Sequence, residues 1–296
     1  MPPFPSLIAF PSMEIITSPH NPRVKWAASL REARDRKREQ RILIDGWGNI
    51  QHALAAGLDC TDLFVASRAD ELTSHLHALQ VSHPSLRIVV VAPEAMQRLQ
   101  YGQRDVDAIA VAVTPPCDLE TFDQRIAKSK DRHAISRAAE ALVKQELYLV
   151  LDRMEKPGNL GAILRSADAA GVTSVLMSDP VCEIWNPNAI RASLGAIFHV
   201  PIGVGSESTV AEWLKQKDVS IYAARSDVGN NYAQEPYPPQ LALVIGNEAE
   251  GLEERWRGAG IAPIHIPMHG VIDSLNASVS GSILLFEVAR QRMARK

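Results

Sequence analysis

Leu151-Asp152-Arg153-Met154-Glu155-Lys156-Pro157-Gly158-Asn159-Leu160-Gly161-Ala162-Ile163-Leu164-Arg165 is the stretch on which the fold turns. The apolar run 147–151 ends here as a strand, Pro157-Gly158 turns the chain, and a helical run follows over 160–170. Asn159 is placed to cap that helix, and Gly171 to end it in the left-handed conformation. Strand, turn and helix in this order form the repeating unit of an α/β protein. The same alternation continues outward, with strands at 175–177, 220–224, 241–245 and 264–266 and helices at 188–194, 210–215 and 280–292. The strands are apolar throughout, as in a parallel sheet covered on both faces. Ile283, Leu284, Val288 and Ala289 give the last helix an apolar stripe.

Towards the N-terminus the pattern repeats on a smaller scale. After the proline signal at Asn21-Pro22 a charged helix is expected to run to about Gln40, followed by a strand over 42–44 that turns at Asp45-Gly46. Strands at 63–66, 87–92 and 109–113 then alternate with helices at 49–56, 72–79 and 93–99. We therefore expect a proline-rich disordered tail at 1–13, a small α/β domain at 14–115, a charged linker helix or solvent-facing arm at 116–146, and a larger α/β domain at 147–296. A chain of 296 residues, 46% hydrophobic and 22% charged, has material for two cores.

The net charge of −3 conceals local basic runs. Arg23, Lys25, Arg31, Arg34, Arg36, Lys37, Arg38 and Arg41 are opposed only by Glu32, Asp35 and Glu39. A second run carries Arg125, Lys128, Lys130, Arg132, Arg137 and Lys144. Phosphate binding requires clustered cations and not a basic total, although solvated helix faces carry such runs as well. Cys60, Cys117 and Cys182 are scattered and odd in number, which argues against a disulfide framework or a zinc site and suits a reducing cytoplasm. No apolar run approaches the ~20 residues that span a bilayer. Neither a membrane nor a metal is expected as a partner.

Three segments carry the chemistry. In the opening stretch, turn and cap account for Pro157, Gly158 and Asn159 but leave Arg165 unexplained. A guanidinium in a helix between buried strands needs an anion, supplied either by a structural salt bridge or by a phosphate. The second segment, Leu241-Ala242-Leu243-Val244-Ile245-Gly246-Asn247-Glu248-Ala249-Glu250-Gly251-Leu252, is a buried strand entering a loop of glycines and carboxylates. Open α/β sheets hold ligands at the carboxyl ends of their strands, and Gly246 lets backbone approach a ligand closely. A plain turn into a helix, with Glu253 and Glu254 at its start, accounts for the same residues. The third segment, Ile264-His265-Ile266-Pro267-Met268-His269-Gly270-Val271-Ile272-Asp273-Ser274-Leu275-Asn276-Ala277-Ser278, sets Ser-Leu-Asn at the mouth of the last helix. There small polar side chains serve as caps, as ligands for the polar edge of a cofactor, or as both.

Taken together and in order, the three segments resemble the SPOUT-class RNA methyltransferases, specifically their SpoU or TrmH-like 2′-O-ribose branch. The N-terminal half resembles the L30e-like RNA-recognition domain of that family through Ser18-Pro19-His20-Asn21-Pro22 and the strand ending in Ile44-Asp45-Gly46, where the family more often has phenylalanine-glutamate-glycine. The resemblance implies an α/β-knot, a deep trefoil in the parallel-sheet C-terminal domain that departs from the usual unknotted topology. It also implies a homodimer with its active site at the interface and S-adenosyl-L-methionine as cofactor. Gly246, Ile266 and Leu275 would hold the adenine and ribose through their backbone, with Ala224, Met268 and Asn276 nearby. Arg165, Asn159, Glu248, Ser274 and Asn276 would form the catalytic group. Arg165 would act at the 2′-hydroxyl by stabilising the developing alkoxide or clamping the neighbouring phosphate, since a guanidinium holds its proton at neutral pH. Arg23, Lys25, Arg36 and Arg191 are the expected RNA contacts, with a structural ion pair the alternative for Arg191.

The extra N-terminal domain favours large-subunit (23S) ribosomal RNA over tRNA as substrate. The rival readings are a tRNA 2′-O-methyltransferase and a non-catalytic RNA-binding protein that keeps the fold. A nucleotide-dependent oxidoreductase is disfavoured because no GxGxxG follows an early strand and no P-loop is present.

Overall fold

A computed structural model of the chain describes residues 14–67, 73–100, 106–133, 145–247, 251–252, 254–272 and 274–294. The expected tail at 1–13 lies outside these residues, as does the 134–144 part of the expected linker. Two compact units emerge, one comprising Met1–Pro115 with Trp185–Arg191 and the other Pro116–Ile184 with Ala192–Lys296. Among the described residues, no helix is long and apolar enough to cross a membrane.

The first unit runs β1 (Glu14–Ile16), α1 (Pro22–Ser29), α2 (Ala33–Glu39), β2 (Arg41–Asp45), α3 (Trp47–Ala55), β3 (Cys60–Ala66), α4 (Thr73–Ser82), β4 (Arg87–Val91), α5 (Pro93–Leu99) and β5 (Ala108–Val113). Its five strands lie in the order β1-β4-β3-β5-β2. β1, β4 and β3 are parallel, while β5 runs antiparallel between β3 and β2.

The single charged helix expected up to Gln40 is two helices. Asn21 caps α1, its Oδ1 accepting from the Arg23 amide at 2.9 Å. The chain then breaks at Leu30, and Glu32 is extended. A helix that ends leaves carbonyls open, and Arg36 fills them. Its Nη1 donates to the Leu30 carbonyl at 2.7 Å and also to that of Arg31. Arg36 is only 2% exposed. Expected as an RNA contact, it is instead the buried cation that makes the break affordable.

The second unit contains α6 (Phe122–His133), β6 (Glu146–Asp152), α7 (Pro157–Ala169), β7 (Ser174–Ser178), α8 (Pro187–Ser193, whose first residues belong to the first unit), β8 (Ile202–Gly205), α9 (Glu207–Gln216), β9 (Ser220–Ala224), β10 (Asn230–Asn231), β11 (Gln240–Ile245), β12 (Ile261–His265) and α10 (Ala277–Ala294). Its seven strands run in the order β10-β12-β9-β11-β6-β7-β8, and every pairing is parallel. Alternate side chains enter separate layers. Tyr148, Val150, Ala242 and Val244 join a core with Phe122, Ile126, Val210, Trp213, Leu214 and Trp256. On the other face, Gly281 of α10 lies against Ile163 of α7 and Ile245 of β11.

The charged segment around 122–133 is therefore not simply an arm. Phe122 is fully buried and Ile126 nearly so, both within the core of the second unit. Glycines on β8 admit this helix and the turn before it. A Cβ on Gly203 would lie 2.8 Å from a Leu119 methyl and 3.0 Å from the Phe122 ring. The composition gave little sign of this docking because two aromatic and aliphatic anchors suffice for a helix whose other face is charged.

Candidate active site

β9, β11 and β12 are neighbours in the sheet and end at Ala224, Ile245 and His265. Beyond these carboxyl ends lies a cavity of about 460 Å³. Ile245, Ile264 and Leu284 give it an apolar lining. Ala224, Gly246, Ile266, Met268 and Leu275, five of the six residues expected around a cofactor, line it together with Ser274, while the sixth, Asn276, is not among the lining residues. Ile266, expected to end a strand, lies just past β12 in the loop, where its backbone is released from the sheet ladder.

The fold of its own loop also requires Gly246. A Cβ there would come within 2.5 Å of the Gly251 carbonyl oxygen. The loop folds back on itself, with the Asn247 amide donating to Gly251 O at 3.1 Å and the Gly251 amide donating to Asn247 O at 3.0 Å. The Asn247 side chain donates to Glu155 Oε1 at 2.6 Å, which ties this loop to the one that follows β6. Glu248, expected in the catalytic group, lies outside the described residues.

Asn159 does not cap α7. The helix begins at Pro157, with Lys156 as N-cap, and Asn159 sits inside the first turn. Its Oδ1 accepts from the Asn276 side-chain amide at 3.2 Å, joining residues 117 positions apart. Asn276 is itself the cap of α10, its Oδ1 accepting from the Ser278 amide at 3.0 Å and the Ser278 hydroxyl at 2.6 Å. Farther along, Ser282 of α10 donates to Ser166 of α7 at 2.7 Å. Residues seven apart on a helix lie nearly one above the other, so Asn159 and Ser166 form one seam against α10. Arg165 stands about 100° around from Ser166, exposed, with no ion pair among the described residues. The structural salt bridge left open for it is thus not formed there, which leaves its guanidinium available to an external anion.

Three charged side chains at the cavity were absent from the expected set. Arg225 and Asp227 follow β9, and Arg257 ends the short 3-10 turn Glu254–Arg257. Arg225 Nε and Nη2 donate to the two Asp227 oxygens at 2.9 and 2.7 Å. That bidentate contact holds the Asp227 carboxyl below the usual carboxylate range, with Arg257 adding to the pull through space. The signal that points to Arg225 and Asp227 is positional, since they follow the carboxyl end of a sheet strand. Among the described residues, no group of His, Cys, Asp and Glu side chains is arranged to hold a metal.

The expected RNA contacts divide sharply. Lys25 is exposed, as are Arg34 and Lys37 on α2. Arg23 pairs with Glu14 at 2.7 Å. Arg191 pairs with Asp45 at 2.8 Å, the second of the two roles left open for it. Asp45 is almost wholly buried, and burial pushes its carboxyl above the usual range despite Arg191. The guanidinium is therefore committed to a carboxylate that would otherwise be stranded.

Residues 146–286 match the SpoU rRNA methylase family, and residues 21–110 match the MRM3-like substrate binding domain. A protein of Staphylococcus haemolyticus, described as a putative TrmH family tRNA/rRNA methyltransferase, is 34% identical over 182 residues, covering 61% of this chain and 69% of that protein. The chain belongs to the SpoU rRNA methylase family. A second member, the 23S rRNA (uridine(2479)-2′-O)-methyltransferase of Streptomyces viridochromogenes, is 25% identical to this SpoU-family chain over 290 residues, 96% of this chain and 94% of the relative. The crystal structure of an AdoMet-bound rRNA methyltransferase from Sinorhizobium meliloti superimposes with a TM-score of 0.78 at 25% identity, covering 95% of this SpoU-family chain and 98% of the other.

Proposed function

We propose that this chain transfers a methyl group from S-adenosyl-L-methionine to a ribose 2′-hydroxyl of large-subunit ribosomal RNA. The observation that carries the reading is the cavity at the carboxyl ends of β9, β11 and β12, which gathers Ala224 from the end of β9, Gly246 from just past β11, and Ile266, Met268 and Leu275 from the loop after β12. Its volume falls in the ordinary range for small-molecule sites. The apolar lining suits a purine, and the free backbone edges at the loop starts suit the polar rim of an adenosine. The residues present therefore fit the cofactor. The rRNA assignment draws on the Streptomyces and Sinorhizobium relatives and on the N-terminal substrate-binding unit.

When bound, the cofactor supplies an electrophilic methyl group carried on a sulfonium. The chain's own residues position the acceptor and manage its charge. Arg165 offers a two-pronged cationic donor to the developing alkoxide or the adjoining phosphate. Asn276 caps α10 and steadies Asn159 in the same step, while Ser274 adds a polar group to the cavity wall; Glu248 keeps the catalytic role expected of it. On the first unit, Lys25 with Arg34 and Lys37 forms the exposed basic face that meets RNA phosphate. Arg36 and Arg191 are structural and drop out of that set.

The second unit carries the trefoil knot of the family, and the first is its L30e-like module. The working form is a homodimer in the cytoplasm, a compartment in keeping with three cysteines that form no disulfide among the described residues. The test is incubation with methyl-labelled cofactor and both total RNA and ribosomal particles, followed by nucleoside chromatography. Label in a 2′-O-methylnucleoside of large-subunit RNA is the expected result. Label confined to tRNA overturns the substrate, and the absence of both label and cofactor binding leaves only an RNA-binding protein that has kept the fold.

A further inference from the structure

Among the described residues that line the cavity, the charged ones are Arg225, Asp227 and Arg257. Arg225 is spent locally. Both prongs of its guanidinium hold Asp227, and its backbone amide donates to the Ile264 carbonyl at 2.9 Å. Asp227 is thus fixed at the rim while its side chain remains 60% exposed. Among the described residues, Arg257 is anchored by one N–H, Nε to the Leu252 carbonyl at 3.0 Å. That bond directs the rest of the guanidinium along the Gly251 loop, with Nη2 3.7 Å from where a Cβ on Gly251 would stand. A guanidinium has five N–H donors, so most of those on Arg257 face the cavity mouth uncommitted. The wall therefore presents one held carboxylate and one open guanidinium, close enough to feel each other's charge.

This inference rests on the S-adenosylmethionine reading and deepens it. That cofactor has one neutral end, the adenosine, and one zwitterionic end, an α-amino acid with carboxylate and ammonium on the same carbon. We propose that Arg257 and Asp227 read the amino-acid end: Arg257 takes its carboxylate, and Asp227, positioned by Arg225, takes its ammonium. A backbone phosphate of RNA is the competing occupant for Arg257. Asp227 disfavours it, because a fixed carboxylate near the guanidinium repels a polyanionic strand and attracts a group that carries both signs.

Calorimetric titration with two ligands tests the assignment. S-Adenosylhomocysteine contains the amino-acid end, whereas 5′-deoxy-5′-methylthioadenosine keeps the adenosine and thioether without it. Arg257→Ala and Asp227→Asn should each weaken S-adenosylhomocysteine binding by about ten- to a hundredfold, the range for losing a hydrogen bond to a charged group. Both should leave methylthioadenosine affinity unchanged, and Arg257→Lys should restore part of the loss. Equal losses for both ligands would mean that the substitutions only disturb the loop, and no loss for either would remove the residues from cofactor binding. Weaker RNA binding with unchanged S-adenosylhomocysteine affinity in Arg257→Ala would assign the guanidinium to phosphate. If the unmodified protein binds neither ligand, the S-adenosylmethionine reading itself fails, a result distinct from the others.

Discussion

Arg165 is the residue at which local chemistry and proposed function meet most directly. It stands exposed on α7 beside the Asn159–Ser166 seam, with no anion of its own among the described residues. A cation that contributes no structural bond should be removable without harm to the fold. Arg165→Ala is therefore expected to lower kcat by about 10²–10³-fold, as the loss of a charge-stabilising donor does elsewhere, while S-adenosylhomocysteine affinity and the melting temperature stay unchanged. Arg165→Lys keeps the charge but loses the fork and should recover only part of the rate. Turnover at the original level in the alanine variant, measured with labelled cofactor, would take Arg165 out of the mechanism. The contrast with Arg36 and Arg191 shows what residue type alone conveys. All three read as candidate phosphate ligands in sequence, yet Arg36 closes a helix break and Arg191 neutralises Asp45. Cations are recognisable in sequence, but the direction in which each points depends on distant partners, in the case of Arg191 a residue 146 positions away.

At the scale of elements, the seam between α7 and α10 carries the site, because it brings Asn159 to Asn276. Its closeness depends on Gly281, where a Cβ would lie 2.3 Å from Ile163 Cδ1 and 3.1 Å from Cγ1. Alanine at 281 gains helix propensity of about 1 kcal/mol but overpacks the seam, a fault that costs about 1–3 kcal/mol. Gly281→Ala should therefore be neutral to destabilising by about 2 kcal/mol in urea unfolding. Ile163→Val deletes the clashing Cδ1. In that background the same alanine should become neutral or stabilising, a coupling that a double-mutant cycle measures. If the alanine costs the same in both backgrounds, the seam is not set by this contact. The strands on either side of the seam were readable because a sheet buried on both faces writes continuous apolar runs. The strands missed, Glu14–Ile16, Ile202–Gly205 and Asn230–Asn231, are short, and the second carries the two glycines that admit α6. The break after α1 was hidden for a related reason, since the group that satisfies it lies on the next helix.

On the scale of the whole molecule, α10 carries an exposed apolar row beside its buried one. Ala277, Gly281, Leu284, Leu285 and Val288 are buried within the chain. Val279, Phe286 and Met293 are 45%, 50% and 67% exposed and recur every seven residues, so they form a second row along the helix. A contiguous exposed apolar row points to a protein partner. The partner proposed with the function is a second copy, and two-fold symmetry would present the row twice across one interface. Sedimentation equilibrium should then give a mass twice the 32.4 kDa of the chain. Phe286→Lys should weaken association by at least about a hundredfold, since it removes apolar burial and adds a charge on both sides of the contact. The cavity is lined within one chain, whereas the active site proposed with the dimer is completed at the interface. The variant should therefore keep its affinity for S-adenosylhomocysteine and lose methyl transfer together with the dimer. A monomeric parent protein, or a Phe286→Lys variant that stays dimeric, would mean that this row serves some other contact and that the active site is complete in one copy.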